Sequence, residues 1–288
     1  MLQRNITFAN KQNIMSSHFR IIIILLVIFV TAGCSAPRKA ARLYTEQAQM
    51  VSVMLLTTDT LYRIMPDDPE LSHLDELNRK HDSAVAKREA IIKSVTEERY
   101  FQLFSKSFTS ELRKYGLQVY TEDQMEEFNL AKGELWMINL AQVELTESPM
   151  VFTDEEMVNG SLYNYDISYN QVNIGSWFEF AQVNAPGEKQ PEILFASYDV
   201  RDGIEGYFTQ NIFTGEVGYQ LNIDSLDVTR FETALVFLGR LYAGYSFDHL
   251  MNSYVREQLP ADTSKHYRYD PYRKTLFTTV QDKFVPLD

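Results

Sequence analysis

From Leu135 onward, apolar and polar residues alternate with a period of two. Residues 135–145, 166–182, 193–200, 204–212 and 217–223 carry this alternation, which sends successive side chains to opposite faces and predicts strands. Asp202-Gly203 is a tight-hairpin signal, and Pro186-Gly187 and Thr214-Gly215 mark neighbouring turns. Strands joined by turns this short must run antiparallel, so the stretch reads as a meander. Elsewhere the spacing is helical. Phe101, Phe104, Phe108, Leu112 and Tyr115 recur at steps of three and four, with Gly116 placed to close the helix. Ser94-Val95-Thr96-Glu97 has the form of a capping box at its start, and residues 117–121 follow as a short strand. Asp227 is placed to cap a second helix, striped by Phe231, Leu235, Leu238 and Tyr242 and ending near Pro260. Before these, Pro66-Asp67-Asp68-Pro69 breaks the chain, and Leu71, Leu74, Leu77, Val85 and Ile92 predict an amphipathic helix over 70–93. Residues 50–58, MVSVMLLTT, suit a buried strand, although 40–54 also carries helical spacing. The expected fold is α+β, an antiparallel meander sheet of about five or six strands with amphipathic helices packed on one face.

The N-terminus follows a different pattern. Residues 21–30, IIIILLVIFV, are uninterruptedly apolar, preceded by Arg4, Lys11 and Arg20 and followed by Thr31-Ala32-Gly33-Cys34. The run falls short of the roughly 18 to 20 residues a membrane span needs and fits the h-region of a signal peptide. Residues 30–34 resemble the lipobox of bacterial lipoproteins, in which a small residue precedes the cysteine that becomes the lipidated N-terminus. Thr31 stands where those proteins usually carry leucine. The resemblance covers residues 1–34 and implies cleavage after Gly33, lipidation of Cys34 and an anchor of three acyl chains; stable anchoring takes more than one. Ser35-Ala36-Pro37-Arg38 contains neither an aspartate nor an acidic cluster. By the same resemblance, this implies the outer membrane, facing the periplasm. Translation from Met15 instead of Met1 would leave an n-region of ordinary size. The expected divisions are a signal peptide over 1–33, a lipid-anchored linker over 34–41, a globular domain over 42–260 and a polar C-terminal tail over 261–288.

Composition narrows the chemistry. The 288 residues are 45% hydrophobic and 23% charged, a globular profile. With 27 Lys and Arg against 39 Asp and Glu the net charge is −12, which lacks the basic footprint of nucleic-acid binding. The single cysteine excludes a disulfide framework and any multi-cysteine metal site. Phosphate-cradling loops and a G-x-S-x-G elbow are both absent. His73 and His81 are eight apart on a predicted helix, about 12 Å along its axis, too far to share a metal. Paired carboxylates such as Glu126-Glu127 and Glu155-Glu156 point in different directions and read as solvated faces. No cofactor or metal is expected.

What remains is aromatic. Tyr198, Tyr207, Phe208, Phe213 and Tyr219 lie in or beside the predicted strands, and alternation sends some of them outward as a candidate partner or ligand face. Thr60, Ser83 and Ser225 each follow an aspartate and precede an apolar residue, which resembles the acceptor of O-glycosylation in some envelope systems. The helix-strand-strand order of 101–145, with a helix after the sheet, loosely resembles periplasmic assembly and transport-accessory lipoproteins. The expectation is therefore a non-enzymatic outer-membrane lipoprotein with an envelope protein partner. The alternative is a carbohydrate-binding or glycan-hydrolysing lipoprotein acting through the aromatics and the turn carboxylates Asp199 and Glu205.

Overall fold

A computed structural model describes residues 36–65, 90–183, 190–259 and 265–287. The predicted signal peptide with Gly33 and Cys34, most of the predicted 70–93 helix, Ser83 and Pro186-Gly187 lie outside the described residues. The chain forms two units, one of residues 48–247 and 282–288, the other of residues up to Gln47 and 248–281.

The larger unit is built on a seven-stranded sheet. Its strands are β1 (Val51–Thr57), β2 (Leu61–Ile64), β3 (Gln118–Thr121), β4 (Glu134–Val158), β5 (Ser161–Gln182), β6 (Glu192–Arg201) and a late β11 (Val285–Leu287). The order is β11-β6-β5-β4-β1-β3, with β2 also paired to β4. β4, β5, β6 and β11 run antiparallel, but β1 is parallel to both β3 and β4, and β2 is parallel to β4. The class is α+β as expected, whereas the purely antiparallel meander is not: the sheet is mixed. The reason is connection length. Short turns force antiparallel pairing only from β4 onward, and β1 reaches β3 through an 18-residue helix, α3 (Glu97–Lys114), long enough for a parallel crossover. The strands β7 (Gly203–Gln210) and β8 (Val217–Asp224) do not extend the meander either; they pair only with each other.

Two helices cover one face of this sheet. α3 starts two residues later than the capping-box pattern suggests: Val95 is extended and buried, and Thr96 is the cap, its hydroxyl accepting from the Arg99 N–H at 3.3 Å. Glu97 is engaged by Arg63 instead, at 2.6 Å, and that hydrogen bond holds its carboxyl below the usual range. A short α2 (Ile91–Ser94) precedes it. The second covering helix, α5 (Val228–Gln258), is capped by Asp227 as expected, with the Arg230 N–H donating at 2.8 Å. Between helices and sheet lies an aromatic core. Phe104 and Tyr242 meet Phe178 from β5, and Phe284 delivers a further ring 5.2 Å from Phe178. Burial of such rings supplies most of the driving force here. One polar cluster interrupts it: the Ser176 hydroxyl lies beside the Tyr100 and Tyr242 phenols, and burial pushes both phenols well up. The helices are not confined to one face. Phe128 of α4 (Met125–Leu130) packs with Met54 and Leu135 on the reverse side.

The smaller unit holds α1 (Ala36–Gln47), the end of α5 from Asp248, and a hairpin of β9 (His266–Asp270) and β10 (Thr275–Thr279). Tyr44 packs on Tyr254 at 5.4 Å. Asn252 from α5 binds the Tyr267 backbone as a strand would, donating to its carbonyl at 2.9 Å and accepting from its N–H at 2.8 Å. Asp248 likewise accepts from the Tyr269 N–H at 2.9 Å. Helix therefore occupies residues 36–41, within the span read from sequence as linker, and strands occupy 266–270, 275–279 and 285–287 of the C-terminal tail. Polar helix side chains satisfying strand backbone leave no apolar periodicity to read.

Candidate functional site

β4 and β5 are far longer than the sheet they belong to. After Thr146 in β4 and before Gln171 in β5 their only strand partners among the described residues are each other, so residues 147–170 form a two-stranded ribbon that ends in an Asn159-Gly160 turn with both residues at positive φ. Such a turn matches strand twist and needs left-handed backbone at both positions, which Asn and Gly adopt most cheaply. The second ribbon, β7–β8, lies against the first. Tyr219 stacks on Tyr165 at 4.3 Å and donates to the Asp154 carboxylate at 2.7 Å, and Phe208 packs against both Tyr219 and Tyr163. Burial first, and then the hydrogen bond and charge of Asp154, push the Tyr219 phenol up to about 12. Gly206 makes this possible: a Cβ there would run into the Tyr219 ring. At the far end the Asn159 amide donates to Gln210 at 2.8 Å and ties the ribbons together.

The root of the arm is a corner rather than a hairpin. Asp202 is buried, and its carboxylate accepts the backbone N–H groups of Asn170, at 2.8 Å, and of Leu226. The chain leaves the sheet there because Asp202 satisfies the loose N–H of Asn170 in β5 and that of Leu226 in the connection after β8, a use of Asp-Gly that looks the same in sequence as a tight turn. A cleft of about 280 Å³ opens beside it, walled by Phe152, Asp154, Tyr169, Arg201 and Tyr219. Its two acids are already engaged, Asp202 by backbone and Asp154 by Tyr219.

The aromatic face expected from sequence is split by this geometry. Phe208 and Tyr219 point into the arm. Tyr207 is on its outer side, its hydroxyl donating to Gln220. Tyr198 lies elsewhere, against Phe237 of α5 at 5.8 Å. Phe213 is at the tip, 93% exposed, beside Ile212 at 89%. The tip of the tied neighbouring ribbon exposes Met157 and Leu162, at 61% and 62%. The loop that carries Phe213 is held open by Asn211, whose side chain accepts from the Phe213 and Thr214 N–H groups at 2.9 and 3.2 Å, and by Gly215 at φ +74°. Glu155, Glu156 and Glu216 are exposed alongside. Sequence reasoning missed Met157, Leu162 and Ile212; the Asn159-Gly160 dipeptide was the available signal. The carboxylates Asp199 and Glu205 do not face each other: Asp199 accepts from Asn173 at 2.7 Å on the sheet, and Glu205 is opposite Asn222 in the arm.

Thr60 is exposed in the β1–β2 connection, with its hydroxyl on Asp59 at 2.9 Å, and Ser225 is half-buried between Asp224 and the buried Leu226. Among the described residues no three His, Cys, Asp or Glu are placed to hold a metal, and no helix is long and apolar enough to cross a membrane. No family model matches the chain, and no curated protein matches it significantly.

Proposed function

We propose that the chain is a non-enzymatic lipoprotein of the outer membrane, anchored through Cys34 and facing the periplasm, that serves as an assembly or transport-accessory factor by docking an envelope protein on the tip of its β arm. One observation carries the docking reading. Ile212 and Phe213 stand almost fully exposed on a loop whose backbone Asn211 holds, and Met157 and Leu162 are bare at the end of the neighbouring ribbon, which Asn159 joins to Gln210. Large apolar side chains held bare are costly to solubility and mark contact surfaces, and an aromatic entering a pocket is the commonest form of binding anchor. The acids around the tip call for a partner pocket with a basic rim. The anchor reading rests on the lipobox resemblance of residues 30–34.

Ile212→Ser with Phe213→Ser removes the anchor without touching the Tyr219–Asp154 contact. Crosslinking from the arm in envelope extracts should lose its protein product in this variant and keep it in Tyr207→Ser, whose ring lies on the arm's outer side. A glycan array run on the same protein decides the rival reading. Sugar binding without a protein crosslink, or a crosslink indifferent to the tip substitutions, refutes the proposal.

A further inference from the structure

The smaller unit runs against the charge of the chain. In a protein of net charge −12, its described residues hold eight Lys and Arg against four Asp and Glu. Four of these cations converge. Arg38, Lys39 and Arg42 from α1 and Lys274 from the β9–β10 turn line one cleft of about 670 Å³, whose single acid, Glu46, is paired with Arg42 at 3.3 Å. Arg38 is braced on the Leu276 carbonyl at 3.3 Å. Lys274 sits at φ +51°, in left-handed backbone where glycine would be unstrained. The turn before it is fixed by Asp270, which accepts from the Tyr272 and Arg273 N–H groups at 2.9 and 3.0 Å. The same hairpin exposes Tyr272, at 69%, and Phe277.

We propose that this cleft binds the phosphate of an anionic lipid headgroup, with Arg38, Lys39, Arg42 and Lys274 as its cationic lining and Tyr272 and Phe277 at the lipid interface. Four cations around one concavity recognise a phosphate. Basic residues beside exposed aromatics are the composition of a membrane interface. The lipid source also rests on the anchor reading: Arg38 is four residues from Cys34, at most about 14 Å of extended chain. The phosphate site itself does not depend on it.

The test is native mass spectrometry of the full chain in neutral detergent, offered phosphatidylglycerol or phosphatidylcholine, with inorganic phosphate as a separate probe. Phosphatidylglycerol should be retained about tenfold better than phosphatidylcholine. Lys274→Gly relieves the left-handed strain, so it folds at least as well, yet should lose about fivefold in phosphatidylglycerol retention, the worth of one cation near an anionic surface. Adding Arg38→Gln should bring the loss to about 25-fold. Equal retention of the two lipids, or a double variant that retains phosphatidylglycerol unchanged, overturns the proposal. Inorganic phosphate bound as tightly as phosphatidylglycerol overturns the lipid assignment. Acyl labelling of Cys34→Ala tests the anchor separately, and a preference for phosphatidylglycerol that persists in that variant supports the cleft on its own.

Discussion

At Gly239 α5 lies close against the backbone of α3, and replacing it by alanine tests the helix packing in a way that fixes the sign of the outcome. A Cβ at this position would overlap the Ser107 hydroxyl and lie 2.7 Å from the Phe104 carbonyl oxygen and 3.2 Å from the Phe108 nitrogen. The hydroxyl can rotate, although doing so breaks its bonds to the Leu103 and Phe104 carbonyls at 2.8 and 2.9 Å. Backbone cannot give in this way, so the helices must part by several tenths of an ångström. Overpacking of this kind costs about 1–3 kcal/mol, together with the dispersion lost when Phe104 and Phe108 move off Phe178 and Tyr242. Against this, alanine in a helix interior gains about 1 kcal/mol over glycine. The expected net is a loss of about 2 kcal/mol, or roughly 4–8 °C in Tm for a domain of this size. Thermal unfolding followed by circular dichroism reads it. Ser107→Ala in the Gly239→Ala background should recover only part of the loss, because the Phe104 carbonyl remains. If Gly239→Ala raises Tm, propensity has won and the close approach of α3 to α5 is wrong.

Phe284 is buried against Phe178, Phe180, Tyr242 and Tyr245, so Phe284→Ala should cost about 3–5 kcal/mol in chemical denaturation; a loss below 1 kcal/mol would mean that the C-terminal strand is dispensable to the core. The Tyr219 phenol, raised to about 12 when folded against about 10 unfolded, favours the folded arm fully below pH 10. That contribution is lost as pH rises from 10 to 12, because the unfolded phenol ionises first. After allowance for its partial exposure, about 1–2 kcal/mol is at stake. Tyr219→Phe should abolish this alkaline step in amide-exchange protection of β7–β8, and an unchanged step would show that Tyr219 is not its source.

Local periodicity carried most of what was readable from sequence. The strands 135–145 and 166–182, β6 to β8, the stripes of Phe101 to Leu112 and Phe231 to Tyr242, and the caps at Asp227 and Gly116 depend on neighbours a few residues away, and alternation or spacing encodes them directly. The pattern does not carry β4 beyond Leu145 or β5 before Asp166, where the arm's first ribbon lies. The pairing of Val53 with both Trp136 and Val119 has no such signature, because non-local parallel contacts are decided by the whole sheet. Asp202 shows a second kind of blindness. As a turn residue and as a buried staple for the Asn170 and Leu226 N–H groups it presents the same dipeptide. At the candidate site, alternation along β7 already separates Tyr207 from Phe208 onto opposite faces. That Phe208 is the covered one could be decided only by the partner ribbon, and so could the need for Gly206 beneath Tyr219.

The arm's architecture also bears on how its tip would bind. A flexible apolar loop pays for its own ordering when a partner arrives, whereas one already held in its bound shape does not, and the difference appears as affinity. Here Gln210 donates to the Gly215 carbonyl at 3.2 Å and the Thr214 hydroxyl accepts from the Glu216 N–H at 3.3 Å. Asn211 ties the start of the loop: its side chain accepts two backbone N–H groups, from Phe213 and Thr214, and its own backbone N–H is bonded to the Glu216 carbonyl at 2.8 Å. Asn211→Ala leaves Ile212, Phe213, Met157 and Leu162 in place and removes only this restraint. Freeing even one or two residues costs about 1–2 kcal/mol each on rebinding, so partner capture should weaken by roughly tenfold, mainly through faster dissociation. Surface plasmon resonance against the crosslinked partner would separate the rates. A wild-type dissociation rate in Asn211→Ala, alongside loss of binding in Phe213→Ser, would show that the tip binds by its apolar surface alone and that its rigidity is incidental.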